Sequence, residues 1–122
     1  MSDKETRVEE LRQVVRRFCD ERDWNQFHDP KNLAEAGVIE AGELLEHFLW
    51  KTKEEVVAKW RDDATYRQEV ADELADVLGY VLQMADALDI DLSEALRTKY
   101  KKNELKYPVE KSKGNNAKYT KL

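Results

Sequence analysis

Cysteine and histidine are nearly absent: the 122 residues hold one cysteine, Cys19, and two histidines. A single thiol excludes an internal disulfide and makes a reducing compartment the default. One cysteine and two histidines also fall short of a zinc cluster. Long apolar runs are missing too. The longest, from Val77 to Leu82, is far too short to span a bilayer. The segment from Asp3 to Arg17 is charged throughout, which excludes a signal peptide and makes the cytoplasm the expected location. No alternating strand pattern and no internal repeat is present. Net charge is −5, so a nucleic-acid backbone or an anionic membrane is a poor partner. An anionic substrate would need a local cation, supplied by a metal or by a few placed lysines.

What is present is 39% charged and 41% hydrophobic residues, the balance of a well-solvated globular chain. The length suits one domain, small enough for oligomerisation to help it. The pattern predicts an all-α bundle of four to five helices. Lys4 to Arg22 is amphipathic, with Val8, Leu11, Val15 and Phe18 on one face. Asp23 to Pro30 breaks that pattern and places Trp24, Phe27 and His28 in a short loop, either a functional cluster or a hydrophobic lid. Asn32 with Glu35 reads as the start of a second helix running to Trp50, with Leu33, Val38, Ala41, Leu44, Leu45, Phe48 and Leu49 as its apolar stripe. Thr52 with Glu55 starts a third helix reaching Trp60, and Thr65 with Gln68 a fourth reaching Leu88. Asp91 with Glu94 starts a fifth that ends before Pro108 and carries Lys99, Asn103 and Lys106 on one face. Residues 1–110 form the expected domain. Residues 111–122 are a polar, basic tail that composition alone would leave solvated.

Two acidic pairs carry the chemistry. Glu40-Ala-Gly-Glu43 and Glu73-Leu-Ala-Asp76 each place two carboxylates on one helix face, with Cβ atoms about 5–6 Å apart. If the two faces meet, four carboxylates share one volume, raise one another's pKa and oppose folding unless a positive charge sits between them. A hard divalent cation with oxygen ligands answers that need. Solvated helix faces are the competing reading. Gly42 is mid-helix, where glycine costs about 1 kcal/mol relative to alanine, which points to close approach of a backbone or ligand. Gly79 is likewise mid-helix beside the second pair. A ferritin-like di-iron site fails, because His47 follows Glu43 by four residues rather than three and the fourth helix has no histidine. Catalytic zinc lacks its histidines. An oxygen-only Mg²⁺ or Mn²⁺ site that bridges substrate phosphates remains, with water as the attacking species and a carboxylate as base. Lys99, Asn103 and Lys106 would then contact phosphates. Trp24, Trp50 and Tyr80 would offer surfaces for a base or sugar.

Glu40-Ala-Gly-Glu43 with Glu73-Leu-Ala-Asp76 resembles the E-x-x-E…E-x-x-D signature of the MazG-like, all-α NTP pyrophosphatases, with the dCTP pyrophosphatase branch nearest. The resemblance extends through Glu21-Arg-Asp-Trp-Asn-Gln-Phe-His28, Pro30-Lys-Asn-Leu33, Phe48-Leu-Trp-Lys51, Asp76-Val-Leu-Gly-Tyr80, Lys99 with Asn103, Lys106-Tyr-Pro108 and Lys118-Tyr-Thr120. It implies hydrolysis of a nucleoside triphosphate, dCTP favoured and dATP or others open, to the monophosphate and pyrophosphate, in keeping the nucleotide pool clean. It implies that Glu40, Glu43, Glu73 and Asp76 hold Mg²⁺. Trp24 and Trp50 match positions flanking the base, with His28 in the same loop as Trp24. Asp76 and Tyr80 match positions near the sugar, and Lys99 and Asn103 positions on the phosphates. It also implies a homodimer or homotetramer with pockets completed by neighbouring subunits, and a role for Lys118 and Tyr119 in a tail that closes over the phosphates. One departure stands out: Val15 occupies the position of a base-contacting histidine in the cytosine-preferring animal members. Losing that hydrogen-bonding group is expected to relax base selection. Two other readings remain at this stage, a related enzyme acting on dUTP or a modified base, and a non-catalytic helical module that binds nucleotides or a protein.

Overall fold

The computed structural model describes all residues from Met1 to Leu122. It is all-helical, with no strand. The helices are α1 (Val8–Glu21), α2 (Pro30–Glu46), α3 (Lys53–Asp62), α4 (Ala64–Leu88), α5 (Leu92–Lys106) and the short α6 (Val109–Ser112), with 3-10 turns at Asn25–Phe27 and Tyr119–Lys121. None is long and apolar enough to cross a membrane. The chain divides into two compact units, Met1–Asp89 and Ile90–Leu122.

The first unit is built on α4, which packs chiefly against α2 and also against α1 and α3. Its core is small: Cys19, Leu33, Tyr66, Val70, Leu82 and Ala85 are buried. Side-chain oxygens supply the starts of α2, α3 and α4, each satisfying a backbone N–H that the helix leaves unpaired. Thr52 accepts from Glu55 N at 3.1 Å, as its spacing predicts. Two starts differ from expectation. Asp29, not Asn32, caps α2, accepting from Asn32 N at 2.9 Å, and Pro30 takes the first helical position, where its missing N–H costs nothing. Asp63, not Thr65, caps α4 by accepting from Tyr66 N at 3.0 Å. Helix α2 stops at Glu46 rather than Trp50, because the chain turns through residues 47–50 and Trp50 adopts a left-handed backbone, φ 62°. That conformation costs a non-glycine residue about 1–2 kcal/mol. The Tyr66 hydroxyl donates to the His47 carbonyl at 2.8 Å, tying this turn to the first turn of α4.

At the other end of α4, Asp86 holds α1 in place. It accepts from Arg12 Nε at 2.9 Å and from Arg16 Nε and Nη2 at 3.0 Å each. Burial alone would raise the Asp86 pKa, but the hydrogen bonds and charges of Arg16 and Arg12 outweigh it and hold the carboxyl below its ordinary value.

Within this chain nothing approaches the mid-helix glycines Gly42 and Gly79. A Cβ at Gly42 or Gly79 would meet nothing within 4 Å, whereas one at Gly37 would lie 3.8 Å from Tyr80 Cβ. Gly37 is therefore where α2 comes against α4, and no part of this chain crowds Gly42. Much of the apolar stripe of α2 is also uncovered, with Val38 73% and Leu45 59% exposed. Val38, Gly42 and Leu45 follow one another at steps of four and three, which sets them on one helix face.

In the second unit, Asp91 caps α5 by accepting from Glu94 N at 2.9 Å, as predicted. The tail is not left free in solvent. The Tyr119 ring meets Tyr107 edge-on at 6.0 Å, and Lys106 Nζ lies 4.9 Å from the Tyr119 ring centre.

Asp86→Ala removes the shared acceptor of two guanidiniums and is expected to cost about 1–3 kcal/mol. The denaturation midpoint should fall at an unchanged slope. Because the folded pKa is depressed, the stabilisation exists above the ordinary carboxylate range and fades as pH falls through it. An unchanged midpoint would show that Asp86 does not fasten α1.

Candidate active site

The i, i+3 spacing sets Glu40 on the face of α2 that meets α4, and Glu73 with Asp76 on the facing side of α4. One carboxylate oxygen from each of Glu40, Glu73 and Asp76 lies within 4.8 Å of the others. Glu40 and Glu73 are half-buried, and Asp76 is exposed. Glu40 Oε2 and Glu73 Oε2 are shielded from solvent and have no hydrogen-bond partner. Two shielded, unpartnered carboxylate oxygens are costly to leave unsatisfied, and a cation between the two side chains would satisfy both. Desolvation, hydrogen bonding with Glu73 and Glu43, and the charges of Glu43 and Asp76 push the Glu40 pKa up to about 7. Glu43 therefore touches the cluster through Glu40, while the tight triad is Glu40, Glu73 and Asp76. The residues fit a divalent cation held by oxygen ligands.

A cavity of about 400 Å³ opens beside the triad and shares Glu40 and Asp76 with it. Val15, Phe18 and Cys19 of α1 form one wall, and Gly79, Tyr80 and Gln83 of α4 another. Trp24 and His28 close it from the turn between α1 and α2. The Trp24 ring stands edge-on to Phe18 at 5.5 Å and to His28 at 6.3 Å, so the aromatic cluster read from the sequence is a cavity wall. His28 Nδ1 is shielded and has no partner. Burial first, then the charges of Glu40 and Asp76, push the Tyr80 pKa up, so its hydroxyl keeps its proton.

Trp50 does not line this cavity. It projects from the turn after α2, 93% exposed. Lys99, Asn103, Lys106, Lys118 and Tyr119 belong to the second unit, the first three along α5 and the last two in the segment folded against the end of that helix. Five cavity residues carry no role in the sequence reading: Val14, Cys19, Ala75, Gln83 and, as a wall residue, Phe18. For Gln83 a signal was present. It extends the face of Glu73, Asp76 and Tyr80 by one more helical step and is the polar member of the run Val81-Leu82-Gln83-Met84.

Residues 36–122 match the MazG-like family. The chain is 40% identical over 119 residues to dCTP pyrophosphatase 1 of Bos taurus and 39% identical over the same length to that of Homo sapiens, covering 97% of this chain and 69% of each relative. Among solved structures it is similar to a pyrophosphatase from Archaeoglobus fulgidus, with a TM-score of 0.77 and 39% identity over 88% of this chain and 98% of that one.

The raised Glu40 pKa sets a pH dependence. Between the ordinary carboxylate value and about 7, the folded chain binds a proton that the unfolded chain has released, so stability falls as pH rises through this window. In chelator, the melting temperature should drop between about pH 5 and about pH 8, and Glu40→Gln should remove most of that slope. Mg²⁺ should raise the melting temperature more at the higher pH, because the carboxylates must be deprotonated to bind it. A flat profile, or an equal Mg²⁺ shift at both ends, would contradict the convergence of these acids on a cation.

Proposed function

The chain belongs to the MazG-like family, and we propose that within it the protein is a Mg²⁺-dependent nucleoside triphosphate pyrophosphohydrolase that converts a deoxynucleotide and water to the monophosphate and pyrophosphate. The observation that carries this reading is the triad of Glu40, Glu73 and Asp76 beside an aromatic-walled cavity, one place for phosphates and another for a base. The names of the relatives, dCTP pyrophosphatase 1, favour dCTP as the substrate.

A divalent cation held by Glu40, Glu73 and Asp76, with Glu43 adjoining, would supply positive charge against the phosphate oxygens and lower the pKa of a bound water. The remaining work falls to the chain. Trp24 stacks the base, and Tyr80, kept protonated, donates its hydroxyl toward the sugar. A carboxylate of the cluster accepts the proton of the attacking water. Water attacks the α-phosphorus, the bridging α–β P–O bond breaks, and pyrophosphate leaves. Lys99, Asn103 and Lys106 on α5 and Lys118 and Tyr119 in the tail are the groups we assign to the phosphates. Val15 gives the cavity an apolar wall on α1, which favours a base choice broader than dCTP alone and extending to dATP.

The same reading includes a homodimer, or a tetramer of two dimers, working in the cytoplasm. The uncovered face of Val38, Gly42 and Leu45 supports helix-on-helix contact with a second copy, where a glycine lets backbones approach. Trp50, fully exposed and held in a costly backbone conformation, is suited to serve the cavity of a neighbouring subunit.

Pyrophosphate release from each common NTP and dNTP, with and without Mg²⁺, tests the reading. Release should require the metal, favour deoxynucleotides, and fall by at least about 100-fold in Glu40→Ala and in Glu73→Ala. Tight nucleotide binding without turnover would instead favour a non-catalytic binding module. Exclusive use of dCTP in competition would refute the broadened base choice.

A further inference from the structure

Gln83 is a cavity residue with hydrogen-bonding capacity that neither the acid cluster nor the stacking wall uses, and the only one of the lining that carries a donor and an acceptor side by side on a carboxamide. On α4 it follows Asp76 and Tyr80 at steps of four and three, so the face that reaches the cation and sugar positions continues inward to this side chain. It borders two hollows, the main cavity of about 400 Å³ and a smaller one of about 220 Å³ that also touches Cys19 and His28. Its Oε1 accepts from the Cys19 thiol at 3.5 Å. Its Nε2 makes no hydrogen bond within the chain. The walls beside it, Val15, Phe18 and the Trp24 ring, offer stacking and van der Waals contact but no readout of a polar edge.

We propose that Gln83 is the base-reading residue of this enzyme, and that it selects amino bases over keto bases. This rests on the pyrophosphohydrolase reading above. A carboxamide carries a donor and an acceptor side by side, the pattern that reads base edges in pairs. With its oxygen drawn to Cys19, Gln83 has its N–H free for a ligand in the cavity it borders. The centre of the Watson–Crick edge is a bare ring nitrogen in cytosine and adenine, which accepts that N–H. In uracil, thymine and guanine the same position is an N–H, so donor meets donor. The spare lone pair of Oε1 accepts from the adjoining exocyclic amino group. Gln83 thus supplies from α4 the hydrogen bonding that Val15 does not supply from α1. Cys19 acts as a positioning residue, since releasing the amide oxygen lets the carboxamide flip and pair with either class.

The test compares kcat/KM for dCTP and dUTP, which differ only at the edge in question, in the wild type, Gln83→Leu and Cys19→Ala. Wild type should favour dCTP by at least about 10-fold. Gln83→Leu should bring the ratio near one through a loss on dCTP, with kcat on dUTP and the Mg²⁺ requirement kept. Cys19→Ala should narrow the ratio through a gain on dUTP, which a purely structural role for the thiol would not produce. A wild-type ratio near one, a preference for dUTP, or an unchanged ratio in Gln83→Leu overturns the proposal. If the wild type releases pyrophosphate from no nucleotide, the enzymatic reading falls and binding decides the base contact. The ¹⁵N side-chain amide resonance of Gln83 should then shift with dCMP and not with deoxyribose 5-phosphate, and no shift with dCMP overturns the proposal.

Discussion

Like charges brought together without a counter-charge are the constraint on which this fold depends. Helix α4 meets α2 along a face that carries Glu73 and Asp76 against Glu40, with Glu43 adjoining. A chain built only for stability would place alanines and leucines there. Instead two carboxylate oxygens are shielded and unpartnered, and Glu40 holds its proton to about pH 7. The metal-free fold therefore carries unfavourable electrostatics at its main helix interface, and the rest of the first unit must hold the helices together against it.

The fastenings lie on both sides of the cluster. Below it, Tyr66 ties the turn after α2 to the start of α4, with Val70 buried one helical turn further along α4. Above it, Asp86 gathers Arg12 and Arg16 and fixes α1, the helix that supplies one wall of the cavity. Gly37 marks where α2 lies against Tyr80, at a distance where a Cβ would be in ordinary contact. The acids are thus held by neighbours that lie one to three turns away along α4, so the site sits on rigid elements rather than on loops.

Much of this was legible in the sequence, for physical reasons. Helix periodicity and the spacing of the two acid pairs are local properties, so the all-α class, the long α4 and the faces of Glu40 and Glu73 follow directly. The helix starts show the limit. Asn32 and Asp29 both have capping side chains, and Pro30 settles the choice by occupying the first helical position. Thr65 lost to Asp63 because the chain enters α4 two residues earlier than the periodic pattern requires. The fate of Gly42 was not legible, since a glycine in a helix marks room for a neighbour without saying which one, and no part of this chain fills that room. Gln83 was missed for a different reason. A lone glutamine in an apolar run carries no motif, and its role depends on α1 bringing Cys19 and Val15 alongside.

The central claim is that Glu40, Glu73 and Asp76 form a cation site. Calorimetric titration of Mg²⁺ into the nucleotide-free protein near neutral pH, in two buffers of different ionisation enthalpy, tests it most directly. The expected result is saturable binding with proton release, visible as heats that differ between the buffers, and its loss in Glu73→Gln. Binding that survives Glu73→Gln unchanged, or no binding to the wild type, would contradict the claim.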